Sequence, residues 1–243
     1  MRLDNKNIIV TGANRGIGAA IVRELLKHKV GKVYAAARKP ESLPDFGDKR
    51  VVPVALDITS EKQVAAAAEK AKDAQVLINN AGIATFTSLI EGTTDAIAAD
   101  MNTNYHGTLG VIRAFVPVLQ KNGAGQIANV ASVVSLAPVP GIGGYSASKA
   151  ALHSATQSLR TELAARNIKV SGIYPGPIDT DMAKDFPMEK TSAESTAAAI
   201  VKGLIAGDDY IFPDPFSAEV GKLWQRDPVA LEKQLAAPMD KAA

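Results

Sequence analysis

The chain of 243 residues has an ordinary globular composition, with 47% hydrophobic and 21% charged residues, and is long enough to bury a core without cross-links. It contains no cysteine, which excludes disulfides, thiol nucleophiles and thiolate metal sites. Its formal net charge is +2 and its basic residues are scattered, so we expect no nucleic-acid partner.

The predicted elements alternate between strand and helix. In chain order they are a strand at 7–11, a helix at 16–29, strands at 32–37 and 51–56, a helix at 61–73 capped by Ser60, a strand at 75–79, a long helical region at 95–120, a strand at 125–130, a helix at 145–166 and a strand at 169–174. After Pro175 the pattern predicts a loop with a short helix at 179–192, a helix at 195–206, a last strand at 210–212 and a helical tail from 216.

Several predicted strands are almost continuously apolar, as in Ile8-Ile9-Val10 and Val76-Leu77-Ile78. Strands buried on both faces have this composition, which indicates a parallel sheet with helices on each side. The pattern therefore predicts an α/β, doubly wound fold, whose ligands bind at the carboxyl ends of the strands. We see no linker or repeat, so residues 1–243 are predicted to form a single domain, with a substrate loop and C-terminal segment at about 180–243.

A glycine-rich turn, Thr11-Gly12-Ala13-Asn14-Arg15-Gly16-Ile17-Gly18, follows the first strand and opens the first helix. Glycines let the backbone approach a pyrophosphate closely, and the helix N-terminus offers free N–H groups and a partial positive charge. An ordinary tight turn is the alternative, but the position between an apolar strand and a helix favours dinucleotide binding. The predicted cofactor contacts in this turn are Gly12, Asn14, Arg15, Gly16, Ile17 and Gly18.

The end of the second strand indicates which dinucleotide is preferred. An acidic residue there would bind a ribose 2′-hydroxyl and repel a 2′-phosphate, but this strand ends in alanines that Arg38 and Lys39 follow. Arg38 can hold a phosphate with its planar fork of donors, and Arg15 could reach the same group. We therefore predict NADP(H) as the preferred cofactor, with NAD(H) as the second choice. The alternative is that Arg38 and Lys39 are solvated loop charges.

The ends of the third and fourth strands carry further polar residues. Asp57 could accept a hydrogen bond from the adenine amino group, and Gly82 lets the adenosine ribose approach. For Asn79 and Asn80, a structural and a binding role remain equally open. We include Asp57, Asn80, Ala81 and Gly82 in the predicted cofactor site.

Tyr145 and Lys149 lie four residues apart at the start of a predicted helix, so they share one face. A nearby cation favours the charged form of a phenol and lowers its pKa, and a tyrosine tuned in this way can exchange a proton with a carbonyl or alcohol oxygen. Lys149 can also hold the nicotinamide ribose hydroxyls. The alternative is an ordinary surface pair on a helix.

Two more polar residues are candidates for the same chemistry. Ser132 ends the fifth strand, where its hydroxyl could polarise a substrate oxygen. Asn104 lies in the long helical region, where it could hold a water that links Lys149 to solvent. The histidines His28, His106 and His153 show no metal-ligand spacing, so we predict no metal site.

Taken in order, these motifs resemble those of the short-chain dehydrogenase/reductase family, in its short single-domain branch, over about residues 5–180. The resemblance implies a Rossmann-type fold and a carbonyl reductase or alcohol dehydrogenase activity. It implies that Tyr145 is the general acid/base, that Ser132 orients the carbonyl, that Lys149 lowers the tyrosine pKa and that Asn104 completes a proton relay. In the segment that holds the nicotinamide amide, it implies contacts from Pro175, Gly176, Ile178 and Thr180.

The predicted substrate is a ketone or secondary alcohol, a hydrophobic one because the candidate pocket residues are mostly apolar. These residues are Val134, Val139, Ile142, Tyr174, Met182 and Phe186, each of which could equally belong to the core. A non-catalytic nucleotide sensor, an epimerase or dehydratase of the extended branch, and an enoyl-type reductase are the competing functions. The sensor is disfavoured by the joint presence of Ser132, Tyr145 and Lys149. The extended-branch enzyme is disfavoured by the short segment after Thr180, and the enoyl-type reductase by the spacing of the tyrosine and the lysine.

The remaining expectations concern partners and location. By resemblance we expect a homodimer or homotetramer, with the helices near 100–120 and 145–166 in the interface. No apolar run approaches the roughly 20 residues of a membrane span, and the N-terminal residues lack a signal-peptide pattern. We therefore expect a cytoplasmic protein that makes no membrane contact.

Overall fold

The computed structural model describes residues 3–123 and 125–237. Its strands are β1 (Ile8–Thr11), β2 (Val33–Ala37), β3 (Val51–Ala55), β4 (Val76–Asn79), β5 (Gly125–Val130), β6 (Ile168–Ile173), β7 (Ile178–Asp179), β8 (Thr191–Ser192) and β9 (Tyr210–Ile211). Seven of them form one parallel sheet in the order β3-β2-β1-β4-β5-β6-β9. This sheet confirms the predicted α/β, doubly wound fold, and its order reverses between β1 and β4, where a ligand crevice is expected.

The helices are α1 (Gly16–Leu26), α2 (Glu61–Lys70), α3 (Thr94–Met101), α4 (Thr108–Lys121), α5 (Gly143–Glu162), α6 (Ala193–Ala206), α7 (Pro215–Arg226) and α8 (Pro228–Ala236). Ser60 caps α2 as predicted, because its hydroxyl accepts a hydrogen bond from the Gln63 N–H. Among the residues described, no helix is long and apolar enough to span a membrane.

The core lies on both faces of the sheet because successive residues of a strand point to opposite sides. Ile8 and Val10 pack in a cluster with α1 and α6, whereas Ile9 packs in a second cluster with α2 and α4. All three side chains are fully buried. Burying each contributes roughly 1.5–3 kcal/mol, so the two layers hold the strand ends in fixed register.

The long helical region differs from its prediction. Residues Asn102–Gly107 form a π-helical turn that separates α3 from α4. Such turns re-aim side chains inside a helix and are frequent at functional sites. Here the turn contains Asn104, and it packs so closely on the segment after β3 that a Cβ on Gly107 would lie 3.1 Å from the Ile58 oxygen.

The region after β6 also differs in detail. The predicted loop at 179–192 contains a two-residue parallel ladder in which Ile178 pairs with Thr191. The next helix begins two residues before the predicted 195, because the Ser192 hydroxyl caps it by accepting from the Ser195 N–H. Residues 238–243 of the predicted C-terminal segment lie outside the described part of the chain.

Candidate active site

A cavity of about 1080 Å³ opens at the carboxyl ends of the strands. It runs from the glycine turn after β1 to the start of α5, and every predicted cofactor residue lines it. The predicted substrate residues Val134, Ile142, Met182 and Phe186 line its other part. The sheet therefore brings the two predicted sites together in one continuous space.

The glycine turn has the backbone that its sequence predicts. Gly12 and Gly16 have φ angles of 66° and 52°, which L side chains adopt with strain. Gly18 packs so closely that a Cβ there would lie 2.1 Å from the Gly12 carbonyl oxygen. At Arg15, the N-cap position of α1, no side chain caps the helix. The first N–H groups of α1 therefore remain available as hydrogen-bond donors at the cavity wall. Such a set of donors at a helix N-terminus fits the pyrophosphate of a dinucleotide.

The two asparagines at the end of β4 have structural contacts. The Asn80 amide donates to the carbonyls of Thr11 and Gly12, both at 3.0 Å. Its backbone N–H donates to the Thr11 hydroxyl at 3.0 Å. Asn79 is buried and donates to the Asn129 side-chain oxygen at 2.8 Å. Asn79 thus joins two strands, while Asn80 both holds the glycine turn and lines the cavity.

The end of the cavity beyond β2 is basic. Arg38 and Lys39 line it together with Ser42, a residue that our sequence reasoning missed. Asp57 also lines it, and its Oδ1 accepts hydrogen bonds from the Thr59 N–H and hydroxyl at 2.9 and 2.7 Å. These bonds, and to a smaller extent the charge of Arg38, lower the pKa of Asp57. Two cations with a hydroxyl fit a phosphate at this end.

Arg15 has a second partner that the sequence did not indicate. Its guanidinium donates to the Asp181 carboxylate at 3.0 Å, which connects the glycine turn to the segment after β7. Both side chains are well exposed, so the ion pair contributes at most about 1 kcal/mol. Little stability would therefore be lost if Arg15 left Asp181 to bind a phosphate at the basic end of the cavity.

Tyr145 and Lys149 face the cavity from the first turns of α5. The Lys149 amine lies 5.7 Å from the centre of the Tyr145 ring and donates to the Val130 carbonyl at 2.8 Å. Burial lowers the pKa of Lys149 to about 8, against a smaller opposing effect of the Asp100 charge. The predicted shared face of the two residues is confirmed.

The expected effect of Lys149 on the tyrosine is not found in this structure. Burial raises the pKa of Tyr145 to about 12; the neighbouring Ser132 hydroxyl lowers it and the Asp100 charge raises it further. The expected lowering is therefore wrong in this structure, because desolvation outweighs the other contributions and the Lys149 amine donates to the Val130 carbonyl. Tyr145 consequently holds its proton at neutral pH.

Ser132 lies in the cavity wall between the end of β5 and the segment after β6. It is 8% exposed, and its hydroxyl accepts from the Val134 N–H at 3.3 Å and lies 3.5 Å from the Pro175 carbonyl. Ser132 and Tyr145 line the same cavity, and a hydrogen bond from the Ser132 side chain acts to lower the pKa of the phenol.

Asn104 lies behind the cavity, which it does not line. It is fully buried, accepts from the Ile83 N–H, and donates to the Ile83 carbonyl and the Ser148 hydroxyl, all at 2.9 Å. Asn104 thus connects the segment after β4 to α5. It also lies close to Gly82, since a Cβ on Gly82 would lie 2.9 Å from the Asn104 Oδ1 and 3.4 Å from the Lys149 amine. Its role in a proton relay stays a prediction.

The segment after β6, to which the resemblance assigns the nicotinamide amide, lines the cavity. Pro175, Gly176, Ile178 and Thr180 all line it. The Gly176 N–H donates to the Asp214 carboxylate at 2.9 Å, and the Pro175 carbonyl accepts from the Val133 N–H at 3.1 Å. These bonds fix the segment to α7 and to the end of β5.

The part of the cavity that the predicted substrate residues line is largely apolar. Val139 lines it with the four residues named above, but the prediction for Tyr174 is wrong. Tyr174 is fully buried, and its hydroxyl lies 2.8 Å from His153 Nδ1. It follows the last residue of β6 and so belongs to the core. Lining residues that sequence reasoning did not single out include Phe86, Met188, Phe216 and Leu235.

Within the described ranges, no group of three or more His, Asp or Glu residues is arranged to hold a metal ion. A free helix N-terminus at one end and a phenol, a hydroxyl and an amine at the other are what a dinucleotide-dependent oxidoreductase requires.

Comparison with known proteins agrees with this class. The family model described as short chain dehydrogenase matches residues 6–191. An uncharacterized oxidoreductase of Staphylococcus saprophyticus is 34% identical over 196 residues, which are 76% of this chain and 83% of that protein. The chain therefore belongs to the short-chain dehydrogenase/reductase family, and it is an NAD(P)-dependent oxidoreductase.

Two solved structures illustrate the family's cofactors. A short chain dehydrogenase from Burkholderia cenocepacia in complex with NADP has 39% sequence identity and a TM-score of 0.92, with 98% of this chain and 100% of that chain covered. A 3-ketoacyl-(acyl-carrier-protein) reductase from Brucella melitensis complexed with NADH has 25% identity and a TM-score of 0.77, with 89% and 94% covered. Relatives of this fold thus bind either dinucleotide.

Proposed function

We propose that this protein transfers a hydride between C4 of the nicotinamide of NADP(H) and the carbonyl carbon of a hydrophobic ketone, or the matching secondary alcohol. The observation that carries the proposal is the position of Tyr145 and Ser132 at the junction of the two parts of the cavity, one polar and glycine-lined, the other apolar. A carbonyl group at that junction would reach both hydroxyls while its substituents contact Val134, Ile142, Met182 and Phe186.

Each side chain has a role that follows from its chemistry. NADPH, when bound, supplies the hydride. Tyr145 donates its proton to the carbonyl oxygen as charge develops there, and its raised pKa of about 12 keeps that proton available at neutral pH. The Ser132 hydroxyl polarises the same oxygen. Lys149 holds the ribose hydroxyls and, as an ammonium, favours the phenolate that remains.

The proposal is tested with a panel of ketones and secondary alcohols, assayed with NADPH and with NADH by absorbance of the reduced nicotinamide. We expect turnover of hydrophobic ketones with NADPH as the better cofactor. Hydroxy acids and sugar phosphates should react poorly, because the substrate wall offers apolar contacts. Absence of turnover with every carbonyl compound, despite measurable NADPH binding, would contradict the proposed function.

The preference for NADPH is expected to depend on Arg38. Arg38→Ala should raise the KM for NADPH about 10- to 100-fold, since a hydrogen bond to a charged group contributes roughly 1.5–3 kcal/mol, and leave the KM for NADH nearly unchanged. Arg166→Ala, at an exposed position outside the cavity, is the matched control. A wild-type enzyme that prefers NADH would refute the assignment.

The pH dependence is expected to follow Lys149. Its pKa is lowered to about 8, so the ammonium is lost as the pH rises through about 8, while Tyr145 keeps its proton until about pH 12. Because kcat/KM for NADPH reports groups of the free enzyme, we expect it to be constant from pH 6 to 7.5 and to decline several-fold above 8. If kcat/KM for NADPH stays constant up to pH 10, Lys149 has no role in cofactor binding.

A further inference from the structure

The loop between β4 and α3 contains an unusual backbone conformation at Phe86, whose φ angle is +48°. In the described residues only two other non-glycine residues have positive φ, Asn5 and Asn167. Asparagine tolerates this region, whereas a bulky residue is strained there. The conformation at Phe86 therefore requires contacts that hold it in place.

Two contacts fix this loop. The fully buried Asp100 carboxylate accepts hydrogen bonds from the Thr85 N–H at 3.0 Å and from the Thr85 hydroxyl at 2.7 Å, one residue before Phe86. Leu89, on the other side of Phe86, packs on the start of α5 so closely that a Cβ on Gly143 would lie 2.5 Å from its Cγ. The loop is thus anchored to both α3 and α5, and the strained residue lies between the anchors.

The result of this conformation is a row of three rings along the substrate part of the cavity. Phe86 contacts Tyr145 edge to face, with ring centres 6.1 Å apart and planes at 61°. On its other side it contacts Phe186 at 5.1 Å and 78°. The Phe86 side chain remains 36% exposed, which is unfavourable for a phenyl ring in water. Both phenylalanines line the cavity.

We propose that Phe86 and Phe186 are specificity residues that bind a ring substituent of the substrate, so that the preferred substrates are ketones with an aromatic ring next to the carbonyl group. This inference rests on the proposed function and names its substrate class. An aromatic ring beside Tyr145 would add offset or edge-to-face contacts to the row, each contributing beyond simple burial. It would also cover the exposed ring of Phe86. A linear alkyl chain gains the burial but not the ring contacts.

The experiment compares kcat/KM for acetophenone, cyclohexyl methyl ketone and 2-octanone in the wild type, Phe86→Leu and Phe186→Leu. We expect the wild type to prefer acetophenone. Each variant should lose about 3- to 10-fold more for acetophenone than for 2-octanone, through a higher KM, because leucine keeps the apolar contact with an alkyl chain but not the ring contact. Phe46→Leu is the matched control, because Phe46 lies outside this cavity.

The possible outcomes distinguish failure of the ring-specificity assignment from failure of the proposed ketone reduction. If both variants lose the same factor for all three ketones, the rings are packing elements and the specificity assignment is overturned. If the wild type binds NADPH, measured by fluorescence, but turns over none of the ketones, the proposed function itself fails and the assignment fails with it. Phe86 and Phe186 belong to different segments of the chain, so if circular dichroism shows that one variant misfolds, the other variant still decides.

Discussion

Tyr145→Phe is expected to lower kcat for ketone reduction by roughly 10²–10⁴-fold, the contribution of a positioned general acid. The variant removes one hydroxyl and keeps the ring, so the edge-to-face contact with Phe86 should remain. The affinity for NADPH should stay close to that of the wild type, because the proposed phosphate-binding residues follow β1 and β2, away from β5 and α5 in the sheet order. Steady-state kinetics and fluorescence titration measure the two quantities separately.

The matched control for this variant is Tyr105→Phe. Tyr105 lies in the π-helical turn and does not line the cavity, so loss of its hydroxyl should leave kcat unchanged. Retention of more than a tenth of wild-type activity in Tyr145→Phe would overturn the mechanism. An equal loss of activity and of NADPH affinity would instead indicate that the phenol is a structural element of the cofactor site.

Gly18→Ala is expected to destabilise the protein by about 3 kcal/mol. The added Cβ would lie 2.1 Å from the Gly12 carbonyl oxygen and 2.4 Å from the Asn80 Nδ2, and neither is the end of a flexible side chain free to move. For a protein of this size the change corresponds to a decrease in Tm of roughly 6–12 °C. NADPH affinity should fall as well, because the atoms that must shift belong to the glycine turn, the proposed binding site of the pyrophosphate.

Gly110→Ala serves as the control for Gly18→Ala. Gly110 lies inside α4, and apart from its chain neighbours and the nearby backbone of its own helix, no atom of the described residues lies within 4 Å of a Cβ added there. Alanine in a helix interior is favoured over glycine by about 0.5–1 kcal/mol, so the Tm should rise slightly. If the Gly18→Ala variant has the Tm of the wild type and binds NADPH with the same affinity, the glycine turn can widen and the prediction is wrong.

The fold and the glycine turn could be predicted because they depend on local patterns. Continuous apolar runs such as Val76-Leu77-Ile78 occur where strands are covered on both faces, and glycines occur where the backbone has φ angles such as 66° at Gly12. Spacing along one helix was enough to place Tyr145 and Lys149 on a common face. These features are properties of neighbouring residues, which a sequence displays directly.

The rest depended on contacts between distant segments. The ion pair of Arg15 with Asp181 joins residues 166 positions apart. The π-helical turn at Asn102–Gly107 interrupts a helical pattern that continues on both sides, and no residue type marks it. The pKa of Tyr145 was misjudged because burial depends on the surrounding fold, whereas the position of Lys149 four residues later was visible in the chain. Phe86 gave no signal because the contacts that hold its loop, from Thr85 to Asp100 and from Leu89 to the start of α5, join segments that are apart in the sequence.

The hydrogen bonds of Asn80 have a consequence for how the protein folds. They reach the glycine turn from 68 and 69 positions along the chain, so the turn can acquire its final geometry only after β4 has paired with β1. Contacts at such separation form late, because the loop-closure entropy must be overcome first. During refolding, recovery of NADPH binding should therefore lag behind recovery of helical circular dichroism. A nascent chain that ends before Asn80 would have the glycine motif but not a cofactor site.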